Sequence, residues 1–312
     1  MADGSRHSLR VIAEVTHGIT PTTPIFKYIR HTGTTLGLSK EALQSEEIRD
    51  DRQIADFRHG ARQVGGDISI ELSYGSFDQI LEALLCGTWA TGVPTVGIDR
   101  LKAGTVRRSF TLERFFGDIA LGDKPYHRFT GVEFNSLQLQ VTANAMITAT
   151  IGVVGKEMAT AGTIVTGATY TPATTTSPLD SFTGTLSEAG TAIAVITEIT
   201  LNLDNGLDPR FVVGSKSSIR PSIGRSNVTG QITAFFENSL LLDKFINETE
   251  SSIVFELPDG AGNLLRFNIP RIKYSGGQPD VQGEGPITLS MPFQALLDST
   301  LQTNIIIERD PV

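Results

Sequence analysis

The stretch that most constrains this chain is "GGDISIELSYGSFDQILEALLCG" at residues 65–87, in which a strand pattern gives way to a helix pattern. Polar and apolar side chains alternate from Asp67 to Tyr74, which is typical of a strand with one face on a core. After Gly75, apolar residues recur at helical spacing from Phe77 to Leu85. We therefore predict a strand, a tight turn and a helix of about three turns.

Both ends of this predicted helix carry residues that favour helix termini. Ser76 is predicted as the N-cap, and Gln79 completes a capping-box pattern with it. Gly87 is predicted just beyond the last turn, where a left-handed backbone conformation suits glycine.

A second copy of the pattern, "VTGQITAFFENSLLLDKFI" at residues 228–246, begins about 160 residues after the first. The segments that precede the two units, 34–68 and 199–232, also correspond: each has a short alternating strand and then a run rich in Arg, Gly and Ser. We infer a tandem duplication. The alternative is a pair of unrelated β domains that share common patterns.

Further strands are predicted after each helix, because the alternation of apolar and polar residues returns. In the first half these strands are 105–116, 127–142 and 145–155, and in the second half they are 251–257, 264–275 and 287–293. The predicted fold is mainly β, with two tandem antiparallel β-sandwich or barrel modules that each carry one packed α-helix.

The predicted modules cover residues 1–158 and 195–312, joined by the segment 159–194. This segment is rich in Ala, Thr and Gly. It fits either a linker or a hairpin of short strands, because Thr and Val favour a pleated backbone. The sequence leaves both alternatives open.

Charge and cysteine content narrow the function classes. The net charge of −8 argues against tight nucleic-acid binding, yet it suits a surface past which DNA slides. The single cysteine, Cys86, excludes an intrachain disulfide, is predicted to be a small buried residue, and fits folding in a reducing cytoplasm. We expect no secretion signal and no membrane-spanning helix.

No catalytic or metal-binding pattern is found in the sequence. The histidines are His7, His17, His31, His59 and His127, and none has the spacing of a metal site. Nucleophile elbows, phosphate-binding loops and dinucleotide fingerprints are likewise missing from the sequence. We expect a protein that is not an enzyme and has no cofactor.

Residues 32–89 resemble the major tail tube proteins of long-tailed, siphovirus-type bacteriophages. The resemblance depends most on "GDISIELSYGSFD" at the strand–helix junction and on "SEEIRDDRQ" before it. It is close over residues 14–90 and thinner afterwards. It implies a β-sandwich whose strands join those of neighbouring subunits into an inner barrel, with rings stacked into a hollow tube in the virion tail.

The resemblance also implies partners and an assembly site. A duplicated chain is expected to form trimeric rings with pseudo-sixfold symmetry, with a hexamer of whole chains as the alternative. The expected partners are a tape-measure protein, a tail terminator and tail tip proteins, with assembly in the host cytoplasm. Genomic DNA is expected to pass through without tight binding, and no membrane is involved.

A charged segment at residues 45–62 is the predicted docking arm, which would contact a neighbouring subunit or the next ring. Its charges have mixed signs, which does not suit nucleic acid but does suit Arg–carboxylate pairing. The alternative is a solvated loop with weak ion pairs. Arg220 and Arg225 in the corresponding second-half loop are expected to meet a different partner. The predicted arm residues are Glu46, Glu47, Arg49, Asp50, Asp51, Arg52, Arg58 and Arg62.

Two other functions fit parts of the sequence. One is the inner tube of a contractile injection machine, which would use the same fold. The other is a soluble β-sandwich binding module, for which we would expect a monomer with an aromatic face. Aromatic residues make up only 7% of the chain and are mostly Phe at alternating positions, which disfavours the binding module.

Overall fold

The longest described strand, Tyr126–Thr142, holds the two halves of the chain together. The structure is a computed structural model that describes residues 2–193, 195–281 and 283–311. Within that part, twenty strands form one hydrogen-bonded network and two more form a separate pair. The prediction of a mainly β fold is therefore confirmed.

The first half contains ten strands and one helix. They are β1 (His7–Ala13), β2 (Ile25–Ile29), β3 (Gly33–Thr34), β4 (Gly37–Gln44), β5 (Phe57–Glu71), α1 (Asp78–Leu84), β6 (Asp99–Lys102), β7 (Phe110–Phe116), β8 (Tyr126–Thr142), β9 (Thr148–Gly155) and β10 (Glu157–Ala161).

The segment between the predicted modules, as far as residue 193, contains three short strands. Its strands are β11 (Thr169–Thr171), β12 (Thr185–Glu188) and β13 (Thr191–Ala192). β10 crosses the predicted boundary at residue 158 and pairs with β8. β11 then pairs in parallel with β2, and β12 pairs with a strand of the second half. The segment is therefore a strap that runs over both halves.

The second half contains nine strands and one helix. They are β14 (Ile196–Asp204), β15 (Asp208–Arg210), β16 (Ile219–Ser222), β17 (Asn227–Phe235), α2 (Leu240–Ile246), β18 (Ser251–Pro258), β19 (Leu264–Tyr274), β20 (Pro279–Asp280), β21 (Thr288–Ala295) and β22 (Ile306–Asp310).

The strand order is the same in the two halves. In the first half β5 pairs with β9, β9 with β8, and β8 with β7. In the second half β17 pairs with β21, β21 with β19, and β19 with β18. In each half the helix directly follows the first strand of this order.

One open sheet crosses from the first half into the second. β14 pairs with the C-terminal part of β8, from Glu198 opposite Thr142 to Asp204 opposite Ser136. The uninterrupted order is β4, β5, β9, β8, β14, β17 and β21. β6 adds a second connection, because it pairs with β22 near the C-terminus.

The core is built from the alternating residues that the sequence pattern singles out. Ile68 and Ile70 on β5 and Leu9 on β1 are buried in the same hydrophobic cluster as Phe255 and Phe267 of the second half. The last two rings are stacked at a centroid distance of 4.8 Å. Because burial of a large apolar side chain contributes about 1.5–3 kcal/mol, this shared cluster stabilises both halves together.

The predicted termini of α1 are wrong in detail. The helix has seven residues, its N-cap is Phe77, and the hydroxyl of Ser76 bonds to Ser73 instead of capping the helix. The left-handed residue after the helix is Cys86, with φ of 48°, and not Gly87. Gly87 is needed because a Cβ there would lie 2.2 Å from the carbonyl oxygen of Lys102.

Several predicted strand limits also move. β7 begins at Phe110 instead of 105, and β9 begins at Thr148 instead of 145. β5 begins at Phe57, so it includes the end of the predicted arm. The alternation rule misses this start because both faces of β5 are exposed there.

Candidate assembly surfaces

The outward face of the open sheet is polar and carries a net negative charge. Directly opposed residues in antiparallel strands share a face, so the register shows which side chains lie together. We call this surface the polar face. It comprises Asp67, Ser69, Glu71, Gln138, Gln140, Thr148, Thr150, Glu198, Thr200, Asn202, Asp204, Thr229, Gln231, Thr233, Ser290 and Gln294.

The polar face contains carboxylates but no arginine or lysine. Its acids are Asp67, Glu71, Glu198 and Asp204, and the first cation appears at its margin, where Lys273 on β19 lies opposite Gln294. Gln140 donates to Glu198 at 2.7 Å across the joint between β8 and β14. Such a surface repels phosphates, since no cation is present to replace their counterions.

Both ends of the open sheet have unpaired strand edges. Among the described residues, β4 pairs with β5 and leaves its other edge free. At the other end, β19 and β20 run along β21, with Tyr274 opposite Phe293 and Asp280 opposite Thr288. The far edge of residues 273–281 has no partner in the described chain. Free edges of this kind bind further strands.

The two free edges correspond to the two strands that pair at the joint between the halves. β4 comes before β5 in the chain and pairs with it. In the same way, β14 comes before β17 and pairs with it. Residues 272–280 run along β21 as the C-terminal part of β8 runs along β9. The joint between β14 and β8 therefore pairs the two strands that correspond to β4 and to residues 273–281.

The predicted arm at residues 45–62 is an exposed extension of the β4–β5 hairpin. Arg49 pairs with Asp51 at 2.7 Å, Arg58 with Asp56 at 2.8 Å, and Arg62 lies 3.6 Å from Glu157. The hydrogen bonds from Arg49 hold the pKa of the Asp51 carboxyl below its ordinary value. The first two pairs are local and shape the arm, whereas Arg62 joins the base of the arm to Glu157 on β10 and, through its backbone N–H, to the carbonyl of Lys216.

The remaining charges of the arm point to solvent. Glu46, Glu47, Asp50 and Arg52 form no ion pair within the described chain. Apolar side chains are exposed beside them: Ile48 is 98% exposed and Ile54 is 64% exposed. The alternation patterns of the sequence did not single out these two side chains.

The sequence matches a known protein family. The family model of the phage tail tube protein matches residues 4–295, which run from before β1 to the end of β21. The chain belongs to the phage tail tube protein family. The resemblance seen in residues 32–89 is thereby confirmed, and the protein is a structural component of a phage tail. A search of curated proteins gives no match.

In this tail tube family member, the second-half loop contacts its own first half. The loop, residues 205–226, contains Asp208 and Arg210 as well as the predicted Arg220 and Arg225. Arg220 donates to Glu133 on β8 at 2.7 Å, so it is engaged within the chain. Arg225 is exposed.

Glu133 is the centre of a buried ion cluster. Its carboxylate is only 4% exposed and accepts hydrogen bonds from Arg107 as well as from Arg220. Arg107 also donates to the carbonyl of Pro221 at 2.9 Å. His17 lies 3.8 Å from Glu133, and burial lowers the pKa of its imidazole despite that carboxylate. The cluster joins the loop to β8.

The described residues offer no metal site. No group of three or more His, Cys, Asp or Glu residues in that part of the chain is placed to hold an ion. Cys86 is buried, as predicted, and burial raises the pKa of its thiol. None of the helices described is long and apolar enough to cross a membrane.

Proposed function

We propose that this tail tube protein polymerises into stacked rings whose bore is lined by the polar face and delivers the phage genome. The proposal is supported most by one observation: a single open sheet crosses both halves, with an acidic face and a free edge at each end. The acidic lining would let DNA pass without adhering.

In the proposed ring, β4 of one chain pairs with residues 273–281 of the next. This contact would repeat the joint between β14 and β8, and it would bury the free edges at both ends. It follows from treating residues 1–158 and 195–312 as duplicated modules. The docking arm would then be free to reach a further subunit.

A trimer satisfies this geometry. Each half supplies four strands to the inner wall, namely β4, β5, β9 and β8 in the first half and β14, β17, β21 and β19 in the second. Three chains therefore give about 24 strands, more than the 16–18 strands that already leave an aqueous channel in porins. A hexamer of whole chains would double that number.

The tail type, the assembly site and the partner proteins are inferred from the sequence resemblance. We infer a siphovirus-type tail that is assembled in the host cytoplasm with a tape-measure protein, a tail terminator and tail tip proteins. The inner tube of a contractile machine would use the same ring, and a requirement for a sheath protein during assembly would identify that case.

Electron microscopy of the purified chain tests the proposal. At increasing protein concentration we expect negatively stained rings and then tubes with a central hole, and native mass spectrometry should give three chains per ring. A mass of six chains would overturn the trimer. A chain that stays monomeric at the highest soluble concentration would overturn the tube assignment and favour a soluble binding module.

A further inference from the structure

An apolar groove beside α2 lies open in the single chain. The groove has a volume of about 700 Å³ and is lined by Ile193, Val195, Phe236, Leu240, Leu241 and Leu289. None of the seven residues of α2, all of which belong to the described chain, is buried. Leu240 is 68% exposed, and Phe235 beside the groove is 44% exposed.

The corresponding helix of the first half is covered. Ile80, Leu81, Ala83 and Leu84 of α1 are buried. Residues 88–105 fold back over α1, and Arg309 of β22 pairs with Asp78 at its first turn. The second half has no equivalent segment, because β18 begins five residues after α2 ends. In the second half, α2 therefore has no segment that packs over it as residues 88–105 pack over α1, and the groove stays open.

The groove and the arm lie at opposite ends of the strands, measured along the strand direction. β5 and β17 are separated by β9, β8 and β14, and every pairing between them is antiparallel. The direction reverses four times, so β5 and β17 run the same way. The arm consists of the loop before β5 and the first residues of β5, whereas the groove lies at the end of β17.

This arrangement suits head-to-tail stacking. In a barrel the strands tilt, but their two ends lie at opposite openings. Val64 is the first buried residue of β5. From Val64 back to Phe57 the strand extends roughly 23 Å, at about 3.3 Å per residue. Residues 45–56 lie beyond Phe57. The arm is therefore long enough to leave its own ring.

Apolar side chains are exposed on both surfaces, and charges of both signs surround them. The arm exposes Ile48 and Ile54, which a protein contact would bury. The rim of the groove carries the exposed acids Glu237 and Asp243 and the Lys244–Glu188 pair, and the arm carries the unpaired cation Arg52 together with the unpaired acids Glu46, Glu47 and Asp50. An apolar centre with charged neighbours is the usual composition of a specific protein interface.

We propose that the groove beside α2 binds the arm of a second copy of this chain in the next ring. Ile48 and Ile54 fill the groove, and Arg52 faces Glu237 and Asp243. The contact is heterologous, so it propagates from ring to ring without closing. This inference rests on the proposed function, since it requires rings that stack.

Cysteine cross-linking tests the contact. The chain with Ile48→Cys and Leu240→Cys, oxidised mildly after assembly, should give a ladder of covalent chains that extends well beyond three. Cross-links that stop at three would place the arm in its own ring and overturn the inference. Tubes that form without any cross-link would overturn it as well. Each variant with only one of the two added cysteines is the control and should give no ladder, since the native Cys86 is buried.

Leu240→Asp separates stacking from ring formation. Leu240 is mostly exposed, so the fold and the ring mass should not change, while the yield of tubes falls at least tenfold. Leu121→Asp is the matched control, because Leu121 is 60% exposed and lies away from the groove; it should form normal tubes. Normal tubes from Leu240→Asp would refute the proposed binding of the arm in the groove but would leave the proposed function standing. Failure of the unmodified chain to form rings would refute the proposed function.

Discussion

Arg220, in the loop between β14 and β17, donates its Nε–H to Glu133 on β8 at 2.7 Å. The contact spans 87 residues of sequence and joins the second half of the chain to the first. Because Arg107 binds the other oxygen of the same carboxylate, one buried charge holds two guanidinium groups.

Removing the charge of Glu133 should weaken the whole fold. In Glu133→Gln a neutral amide replaces the carboxylate, and Arg107 is left partly buried without its counter-ion. We expect a loss of about 2–3 kcal/mol in urea unfolding, below the 3–5 kcal/mol of fully buried pairs because Arg220 is 40% exposed. Glu198→Gln on the polar face should cost less than about 0.5 kcal/mol. Equal losses in the two variants would contradict the role of the cluster.

Gly87→Ala should be strongly destabilising. The added Cβ would lie 2.2 Å from the carbonyl oxygen of Lys102, and a backbone atom cannot move aside easily. We expect a loss of about 2 kcal/mol or more, measured as a lower Tm, in line with overpacking elsewhere. Gly260→Ala is the control, because nothing lies within 4 Å of its added Cβ. A normal Tm for Gly87→Ala would show that residues 102–104 do not hold this position.

Acid should destabilise the N-terminal edge of the sheet through His7. Burial, and then the neighbouring charge of Arg114, lower the pKa of His7 from 6.5 to about 4. The unfolded chain therefore binds this proton more readily between those values, and stability falls as the pH drops from 6.5 to 4. The burial-driven pKa decreases at His17 and His127 act in the same direction.

The size of this effect can be measured by urea unfolding at a series of pH values. The shift at His7 corresponds to about 3 kcal/mol at most, and solvent screening of a half-buried ring reduces it to about 1–2 kcal/mol. His7→Asn should flatten the pH profile, whereas His59→Asn, at an exposed position, should leave it unchanged. A profile in which His7→Asn has no effect would contradict the prediction.

Cations on the polar face should make assembled tubes bind DNA. Gln138 and Gln231 lie on this face, and their replacement by Lys supplies the phosphate contacts that the natural face lacks. We expect salt-dependent binding of short duplexes to Gln138→Lys/Gln231→Lys tubes, measured by fluorescence anisotropy. Gln138→Glu/Gln231→Glu is the control and should bind none. Equal binding by the unmodified tubes would contradict a lining that lets DNA slide.

Neutralising the arm should affect assembly and not folding. The Arg49–Asp51 and Arg58–Asp56 pairs are exposed, so solvent screens them and they contribute little to the stability of the fold. Arg49→Ala/Arg52→Ala/Arg58→Ala should keep its Tm and form rings, yet elongate poorly in electron micrographs. The control is Lys216→Ala, which also removes an exposed cation and lies outside the predicted docking residues. Normal elongation of the triple variant would refute the docking role.

The predicted fold depended on alternation, and it succeeded where one strand face is buried. β8, β18, β19 and β21 were found with small errors because their core residues alternate strictly with polar ones. The short strand predicted at the start of 34–68 lies where β4 forms, but the start of β5 was missed, because both of its faces are exposed there. No local pattern encodes which strands pair, so the pairing of β6 with β22 was not foreseeable.

The candidate surfaces were predictable only in part. The charges of the arm are local in sequence, and residues 45–62 are indeed an exposed hairpin. The polar face needed the register, because Gln140 and Glu198 meet only when β14 pairs with β8. The engagement of Arg220 by Glu133 was missed for the same reason.

The pairing of β6 with β22 places Leu101 opposite Ile307. The two strands lie roughly 200 residues apart, so residues 99–102 meet this partner strand only after the whole second half has been translated. Closing so long a loop is slow compared with local hairpin formation. A nascent chain therefore leaves the edge of β6 without its partner until residues 306–309 have been made, and a product that terminates before them keeps that edge exposed.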